Sequence, residues 1–285
     1  MSSQTATPEL KSWIIDQARA GHAPEAVLKA MMASGWDEEI AISTLEQTLE
    51  SHLAALGLPI VQAPAAPQGL PEPDLAGSPS ELLVLGRTVK VLASMRNPRV
   101  VVFGGLLDDA ECDALIGQAR PRMARSETVD VSTGGSEVNS ARTSRGMFFS
   151  RGESPLLEQL EARLAALVNW PLENGEGLQV LHYLPGAEYK PHYDYFDPAQ
   201  PGTATILKRG GQRVGTIVMY LNTPTAGGAT IFPDVELEVA PVRGNAVFFS
   251  YDSPLPATRT LHGGAPVITG EKWVATKWLR ASRFD

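Results

Sequence analysis

Apolar residues recur at helical spacing through the first 57 positions and change to strand-like alternation beyond residue 80. Thr7-Pro8 places a capping residue before a proline, and Gly21 closes that first segment. Pro24 to Ser34 puts Val27, Ala30 and Met31 on one face and stops at Gly35. Asp37 to about Leu56 carries Ile40, Ile42, Leu45, Leu49 and Leu53 and stops at Gly57. Past the change, Val89–Leu92 and Val100–Phe103 read as strands. Helices are predicted from Asp108, with Ala110, Leu115 and Ile116 spaced for one face, and over about Ser154–Trp170. Short strands are then expected at 178–184, 214–221, 229–232, 235–240, 245–250, 257–262 and 271–280, separated by Pro185-Gly186, Gly227-Gly228 and Gly263-Gly264.

Between the two regimes, residues 58–80 hold prolines at 59, 64, 67, 71, 73 and 79. Such a stretch reads as an extended linker. The expected organisation is a small three-helix domain at 1–57, a Pro/Ala-rich linker at 58–80, and a larger domain at 81–285. No internal repeat is present. Helices set before many short strands predict an α+β domain built on a jelly-roll barrel with flanking helices.

Composition narrows the functional classes. The 285 residues are 43% hydrophobic and 20% charged, so a substantial core is expected. The net charge of −8 argues against a general nucleic-acid or anionic-membrane binder. Cys112 is the single cysteine, which forbids an internal disulfide and fits a reducing compartment. With no secretory leader pattern near Met1 and no long apolar run, a cytoplasmic location without membrane association is expected.

The candidate chemistry lies in the second region. His192 and Asp194 are two residues apart, so on an extended chain they point to the same face. His262 follows 68 positions after Asp194, ahead of a Gly-Gly turn. Two imidazoles and one carboxylate on one side of a metal leave coordination positions open, which suits non-haem Fe(II) and oxygen. Alone, His-x-Asp reads first as a surface turn.

Three stretches resolve that ambiguity: LQVLHYLPGAEYKPHYDYF at 178–196, GQRVGTIVMYLN at 211–222 and TLHGGAPVITGEKWVATKW at 260–278. In this order and spacing the chain resembles the prolyl 4-hydroxylase family of Fe(II)- and 2-oxoglutarate-dependent dioxygenases, over about residues 96–281. One departure is visible: Gly227-Gly228-Ala229-Thr230 stands where relatives usually carry glutamate in the third position. The resemblance implies a double-stranded β-helix, with His192, Asp194 and His262 as catalytic metal ligands.

It further implies that 2-oxoglutarate is the cosubstrate and Lys272 the cation for its far carboxylate. Lys272 and Thr276 share a strand face, so Thr276 is a candidate for the same carboxylate. Tyr183 is the expected phenol donor, and Thr216 a candidate wall of the pocket. Barrel packing is the other reading for Thr216 and for Tyr220. His182 falls on the opposite face and is expected to be a satisfied or exposed histidine. Tyr189, Arg213 and Trp278 are implied at the mouth, orienting substrate, with core packing as the alternative for Trp278. Residues 124–146 resemble a loop that closes over peptide, with Arg142-Thr143-Ser144 at its end.

The implied function is hydroxylation of prolyl residues at C4 in a peptide or protein, with O2 consumed, succinate and CO2 released, and ascorbate stimulatory. Two other readings stay open: a 2-oxoglutarate oxygenase of a free amino acid or small molecule, and a non-catalytic metal-binding scaffold or sensor. In the helical region, Met32-Ala33-Ser34-Gly35-Trp36 bears a faint likeness to ubiquitin-associated bundles. A protein partner for these helices is one expectation; a dimerising or solubilising segment is the other.

Overall fold

A computed structural model describes residues 6–20, 22, 24–55, 69–125, 128–129, 136–137 and 143–285. Gly21, Gly57, the linker prolines at 59, 64 and 67, and most of the expected closing loop, Arg142 included, lie outside them. The chain divides into two compact units, Met1–Ala65 and Ala66–Asp285.

In the first unit, α1 is Pro8–Arg19, α2 Pro24–Ala33 and α3 Glu38–Ala55. The Thr7 hydroxyl accepts from the Leu10 amide at 3.3 Å, with Pro8 in the first turn. Helices this short are marginal alone. Their stability comes from a shared apolar centre: Ile14, Val27, Met31, Ala41 and Leu45, flanked by Leu10, Trp13, Leu28, Trp36 and Leu49.

In the second unit, the chain runs through β1 (Glu81–Val84), β2 (Arg87–Met95), β3 (Arg99–Gly104), α4 (Asp109–Ala119), β4 (Ala124–Arg125), β5 (Thr128–Val129), β6 (Ser136–Glu137) and β7 (Arg145–Phe149). It continues as α5 (Pro155–Leu167), β8 (Leu178–Tyr183), β9 (Tyr189–His192), α6 (Thr203–Leu207), β10 (Arg213–Tyr220), β11 (Ala226–Gly227) and β12 (Thr230–Phe232). The last strands are β13 (Leu237–Val239), β14 (Ala246–Ser250), β15 (His262–Gly264), β16 (Val267–Thr269) and β17 (Lys272–Arg280). Asp108 and Glu111 form a reciprocal capping box at the start of α4, and Ser154 with Pro155 starts α5.

Nine strands make the large sheet, ordered β1-β2-β3-β14-β10-β17-β8-β7-β4; a smaller sheet runs β13-β12-β15-β9. The named pairs are antiparallel, as the jelly-roll expectation requires.

Period-two alternation partitions the large sheet. Phe248, Ile217, Met219, Leu178, Val180, Trp273 and Ala275 pack toward α4 and α5, where Cys112, Leu115, Leu157, Leu160, Leu164 and Leu167 are buried. Each Val, Leu, Ile, Met or Phe among them removed from water contributes roughly 1.5–3 kcal/mol. The alternate positions Val247, Phe249, Tyr220, Leu181, Tyr183 and Val274 face the smaller sheet, meeting Phe232 and Val239. β17 lies between β10 and β8 and is buried along all nine residues. This strand therefore has one face for stability and one for the interior of the barrel.

The strand expected at 257–262 is displaced. Pro256–Thr258 form a 3-10 turn, Arg259 takes φ 53°, and pairing begins only at His262. Proline lacks the amide a ladder needs, and a left-handed residue breaks the extended run.

Candidate active site

The site forms where β9 ends and β15 begins. His262 is directly opposite His192 in the antiparallel register, and their ring centroids are 4.4 Å apart. The approach depends on Gly263, because a Cβ there would meet the Tyr189 carbonyl oxygen at 2.8 Å and the Pro191 nitrogen at 3.1 Å. Asp194 follows on the same side as His192. Its Oδ1 lies 3.5 Å from His192 Nε2 and its Oδ2 lies 3.5 Å from His262 Nε2. All the offered ligand atoms lie within 4.8 Å of one another.

The two imidazoles are oriented by the same local device. His192 Nδ1 is 2.9 Å from the Lys190 carbonyl, and His262 Nδ1 is 3.0 Å from the Thr260 carbonyl. A carbonyl only accepts, so each Nδ1 donates and each neutral ring turns the lone pair of Nε2 inward. Burial pushes the His262 pKa down to about 4, which favours the neutral ring. Burial acts to raise the Asp194 carboxyl, but His262, His192 and Arg213 outweigh it and hold the carboxyl below its ordinary range. Two neutral imidazoles and an ionised carboxylate converging without intervening side chains fit a divalent iron.

Behind the triad the pocket is lined by Leu181, Tyr183, Val218, Thr230, Val274 and Thr276, with Lys272 among them. Lys272 is 3% exposed and sits opposite Tyr183 in the strand register. Its Nζ lies 5.3 Å from the Tyr183 ring centroid and 5.9 Å from that of Tyr220. Among the described residues no carboxylate pairs with it. Burial alone lowers its pKa to about 8. A buried cation without a counter-charge is expensive, and an anionic ligand in this pocket would supply the missing charge.

Sequence-expected residues separate here. Tyr183, Thr276, Tyr189 and Trp278 line the same pocket as the triad and Lys272. Tyr189 stacks on His192 at 3.7 Å, and the buried Nε1 of Trp278 has no acceptor among the described residues. Thr216 is completely buried and turns instead to Asp194, donating to Oδ2 at 2.7 Å. Arg213 is 9% exposed. Its Nε and Nη2 bind Glu176 at 2.7 and 3.0 Å, its Nη1 reaches the Asp194 carbonyl at 3.4 Å, and its guanidinium covers the Trp278 ring at 3.9 Å. Arg280 joins the same Glu176 at 2.6 Å. Arg213 is thus held in an ion pair with Glu176 while its guanidinium lies against Trp278, a lining residue of the pocket.

His182 meets Glu271 at 2.7 Å and stacks on Trp273 at 4.0 Å, on the face away from the pocket. Ala229 uses its carbonyl to accept from the Ala265 amide at 2.8 Å. Thr230 was not singled out by sequence reasoning. It faces the pocket and accepts from the Tyr220 hydroxyl at 2.8 Å. Its signal in the sequence was the alternation with Phe232, which places both on the inner face.

Residues 178–280, which contain the triad, Lys272 and every lining residue, match the 2OG-Fe(II) oxygenase superfamily. Prolyl 4-hydroxylase 2 of Arabidopsis thaliana is 38% identical over 234 residues, covering 74% of this chain and 76% of that protein. Prolyl 4-hydroxylase 1 of the same plant is 41% identical over 219 residues, covering 70% and 75%. The crystal structure of a viral collagen prolyl hydroxylase from Paramecium Bursaria Chlorella virus-1, as its 2OG complex, has a TM-score of 0.50 and 30% identity, covering 65% of this chain and 96% of that one. Fold, convergent triad and extended similarity agree, and the chain belongs to the prolyl 4-hydroxylase family of Fe(II)- and 2-oxoglutarate-dependent oxygenases.

Proposed function

We propose that this enzyme hydroxylates prolyl residues, at C4, in a peptide or protein substrate. The observation that carries the oxygenase half of this reading is Lys272, a buried ammonium without a carboxylate partner among the described residues, in one pocket with two histidines and an aspartate. The relatives that carry the name prolyl 4-hydroxylase support the prolyl half. The chemistry supplied by iron(II) with 2-oxoglutarate is oxidative decarboxylation of the keto acid to succinate and CO2, coupled to insertion of one oxygen atom of O2 into a C–H bond.

His192, Asp194 and His262 would hold the metal through Nε2, a carboxylate oxygen and Nε2. Lys272 supplies the point charge for the distal carboxylate of 2-oxoglutarate, and Tyr183 and Thr276, in the same pocket lining, add hydroxyl donors on this reading. Leu181, Val218 and Val274 keep the space between apolar, which strengthens those electrostatic contacts. At the mouth, Tyr189 and Trp278 offer aromatic faces to a pyrrolidine ring, and a polyproline II segment brings little ordering cost. Arg213 acts at one remove, bracing the Trp278 ring and the Asp194 backbone through its ion pair with Glu176.

The test is succinate formation from 2-oxoglutarate with Fe(II), ascorbate and a set of proline-rich peptides, with peptide mass read in parallel. A gain of one oxygen on proline, coupled to succinate, is expected. Modification of free proline but of no peptide would replace this reading with a small-molecule oxygenase. An absence of turnover in folded, iron-loaded protein would leave only the scaffold.

For the helical unit, the proposal is a protein-binding module that brings the oxygenase to its target. Its small apolar centre leaves Met32 41% exposed beside the turn at Gly35. Deleting residues 1–60 should leave turnover of short peptides unchanged and lower turnover of the intact protein substrate; equal rates on both would exclude recruitment. No helix among the described residues is long and apolar enough to cross a membrane.

A further inference from the structure

Thr216 and Tyr251 form a two-hydroxyl relay that ends on the metal-site carboxylate. Thr216 Oγ1 is 2.7 Å from Asp194 Oδ2, and Tyr251 Oη is 3.2 Å from the same Thr216 Oγ1. Thr216 is fully buried and Tyr251 is 3% exposed. The pair is assembled by the ladder between β10 and β14. There Thr216 lies opposite Phe249 and Gly215 opposite Ser250, and the amide of Tyr251 extends the contact to the Val214 carbonyl at 3.2 Å.

The direction of the relay follows from donor and acceptor capacity. An ionised carboxylate only accepts, so the single hydroxyl proton of Thr216 goes to Asp194 Oδ2. The Thr216 oxygen then has only lone pairs left for Tyr251, whose phenol must donate. Donation in sequence polarises each hydroxyl and strengthens the next bond. Each carboxylate oxygen faces one imidazole at 3.5 Å, Oδ1 towards His192 Nε2 and Oδ2 towards His262 Nε2, but Oδ2 is also engaged by a hydroxyl whereas Oδ1 takes no hydroxyl donor among the described residues.

We infer that Thr216 and Tyr251 are positioning residues that hold Asp194 so that Oδ1 is the metal-binding oxygen, with Oδ2 kept off the metal by its hydrogen bond. This rests on the iron-triad reading above. A carboxylate free to rotate would offer both oxygens and occupy a coordination position that 2-oxoglutarate or O2 needs. The relay therefore keeps the face of the metal open as well as tightening the site.

Metal binding measured without turnover tests this. Co(II) is titrated into metal-free full-length protein and its visible absorption recorded for wild type, Thr216→Val, Thr216→Ser and Tyr251→Phe. Thr216→Val keeps the shape and deletes the hydroxyl; it is expected to weaken Co(II) about 10–100-fold, the usual cost of losing an outer-shell partner, and to change the absorption bands. Thr216→Ser should restore both, because it restores the donor. Tyr251→Phe should shift affinity in the same direction by less. The relay is overturned if Thr216→Val, or Tyr251→Phe should the first variant not fold, binds as wild type does with an unchanged spectrum. It is equally overturned if Thr216→Ser is as impaired as Thr216→Val, which would mark a packing effect. Failure of the wild type to bind Co(II) would instead remove the triad reading itself.

Discussion

Replacing Asp194 with alanine is expected to abolish prolyl hydroxylation and stoichiometric Fe(II) binding together. Asp194 supplies the negative charge of the triad and is the residue that both imidazoles face, at 3.5 Å each. Without it, two neutral nitrogens remain, and they bind Fe(II) poorly against water. The loss should exceed the roughly 10–100-fold change typical of an outer-shell substitution, because a ligand itself is gone. His262→Ala should behave likewise, since His262 is buried and its Nδ1 is already committed to the Thr260 carbonyl. Equilibrium dialysis with Fe(II) and succinate release under saturating 2-oxoglutarate read the two effects separately. Full turnover by either variant would place the metal elsewhere.

Lys272→Met should separate cosubstrate binding from fold stability, moving them in opposite directions. Burial holds the Lys272 pKa at about 8, against an ordinary 10.5. Keeping the ammonium charged at neutral pH therefore costs the free protein about 3 kcal/mol. Methionine fills similar volume without that charge, so metal-free Lys272→Met is expected to melt higher than wild type. Its affinity for 2-oxoglutarate should fall by roughly two to four orders of magnitude, since removing one partner of a buried ion pair costs about 3–5 kcal/mol. Isothermal titration and thermal melting check the two arms; unchanged affinity would remove Lys272 from the pocket chemistry.

The same group sets a pH dependence. On the proposed role of Lys272, the cosubstrate needs the protonated amine, which is present below about pH 8 and lost above it. The KM for 2-oxoglutarate should be level between roughly pH 6 and 7.5 and rise about tenfold per unit well above pH 8. The sign for folding is opposite. The unfolded chain keeps this proton up to about pH 10.5 and the folded free protein releases it near pH 8. The unfolded state thus binds more protons in that window, so the destabilising contribution is full below pH 8 and fades as pH rises. Both dependences should vanish in Lys272→Met.

Much of the site was legible because it is built from short-range rules. His192 and Asp194 share a face through a two-residue spacing, and Lys272, Thr276 and Trp278 share one through the alternation of β17. The helices of both units were legible from periodicity, and that of α1 also from its Thr7 cap; the caps of Asp108 and Ser154, expected only as approximate starts, appeared with the structure. His182 also followed from alternation, since it must oppose Tyr183 and does so against Trp273 and Glu271.

Tertiary structure decided what those side chains meet. Thr216 occupies the inner face of β10, as alternation required, yet whether it reaches cosubstrate or metal carboxylate depends on where Asp194 lies across the barrel. Arg213 is held by Glu176, 37 positions earlier, and both are buried, a pairing that no spacing along one strand announces. Tyr251 enters the site only through the pairing of β14 with β10, and Thr230 through the Tyr220 hydroxyl. The sequence by itself determined the periodicity and which residues share a strand face, because residue type and spacing along one strand settle these; the ligand set and the cation followed from the family resemblance, since His262 lies on a different strand from His192. The direction of each hydrogen bond and ion pair required the folded barrel, because those partners come from different strands and only the register of the sheets brings them within reach.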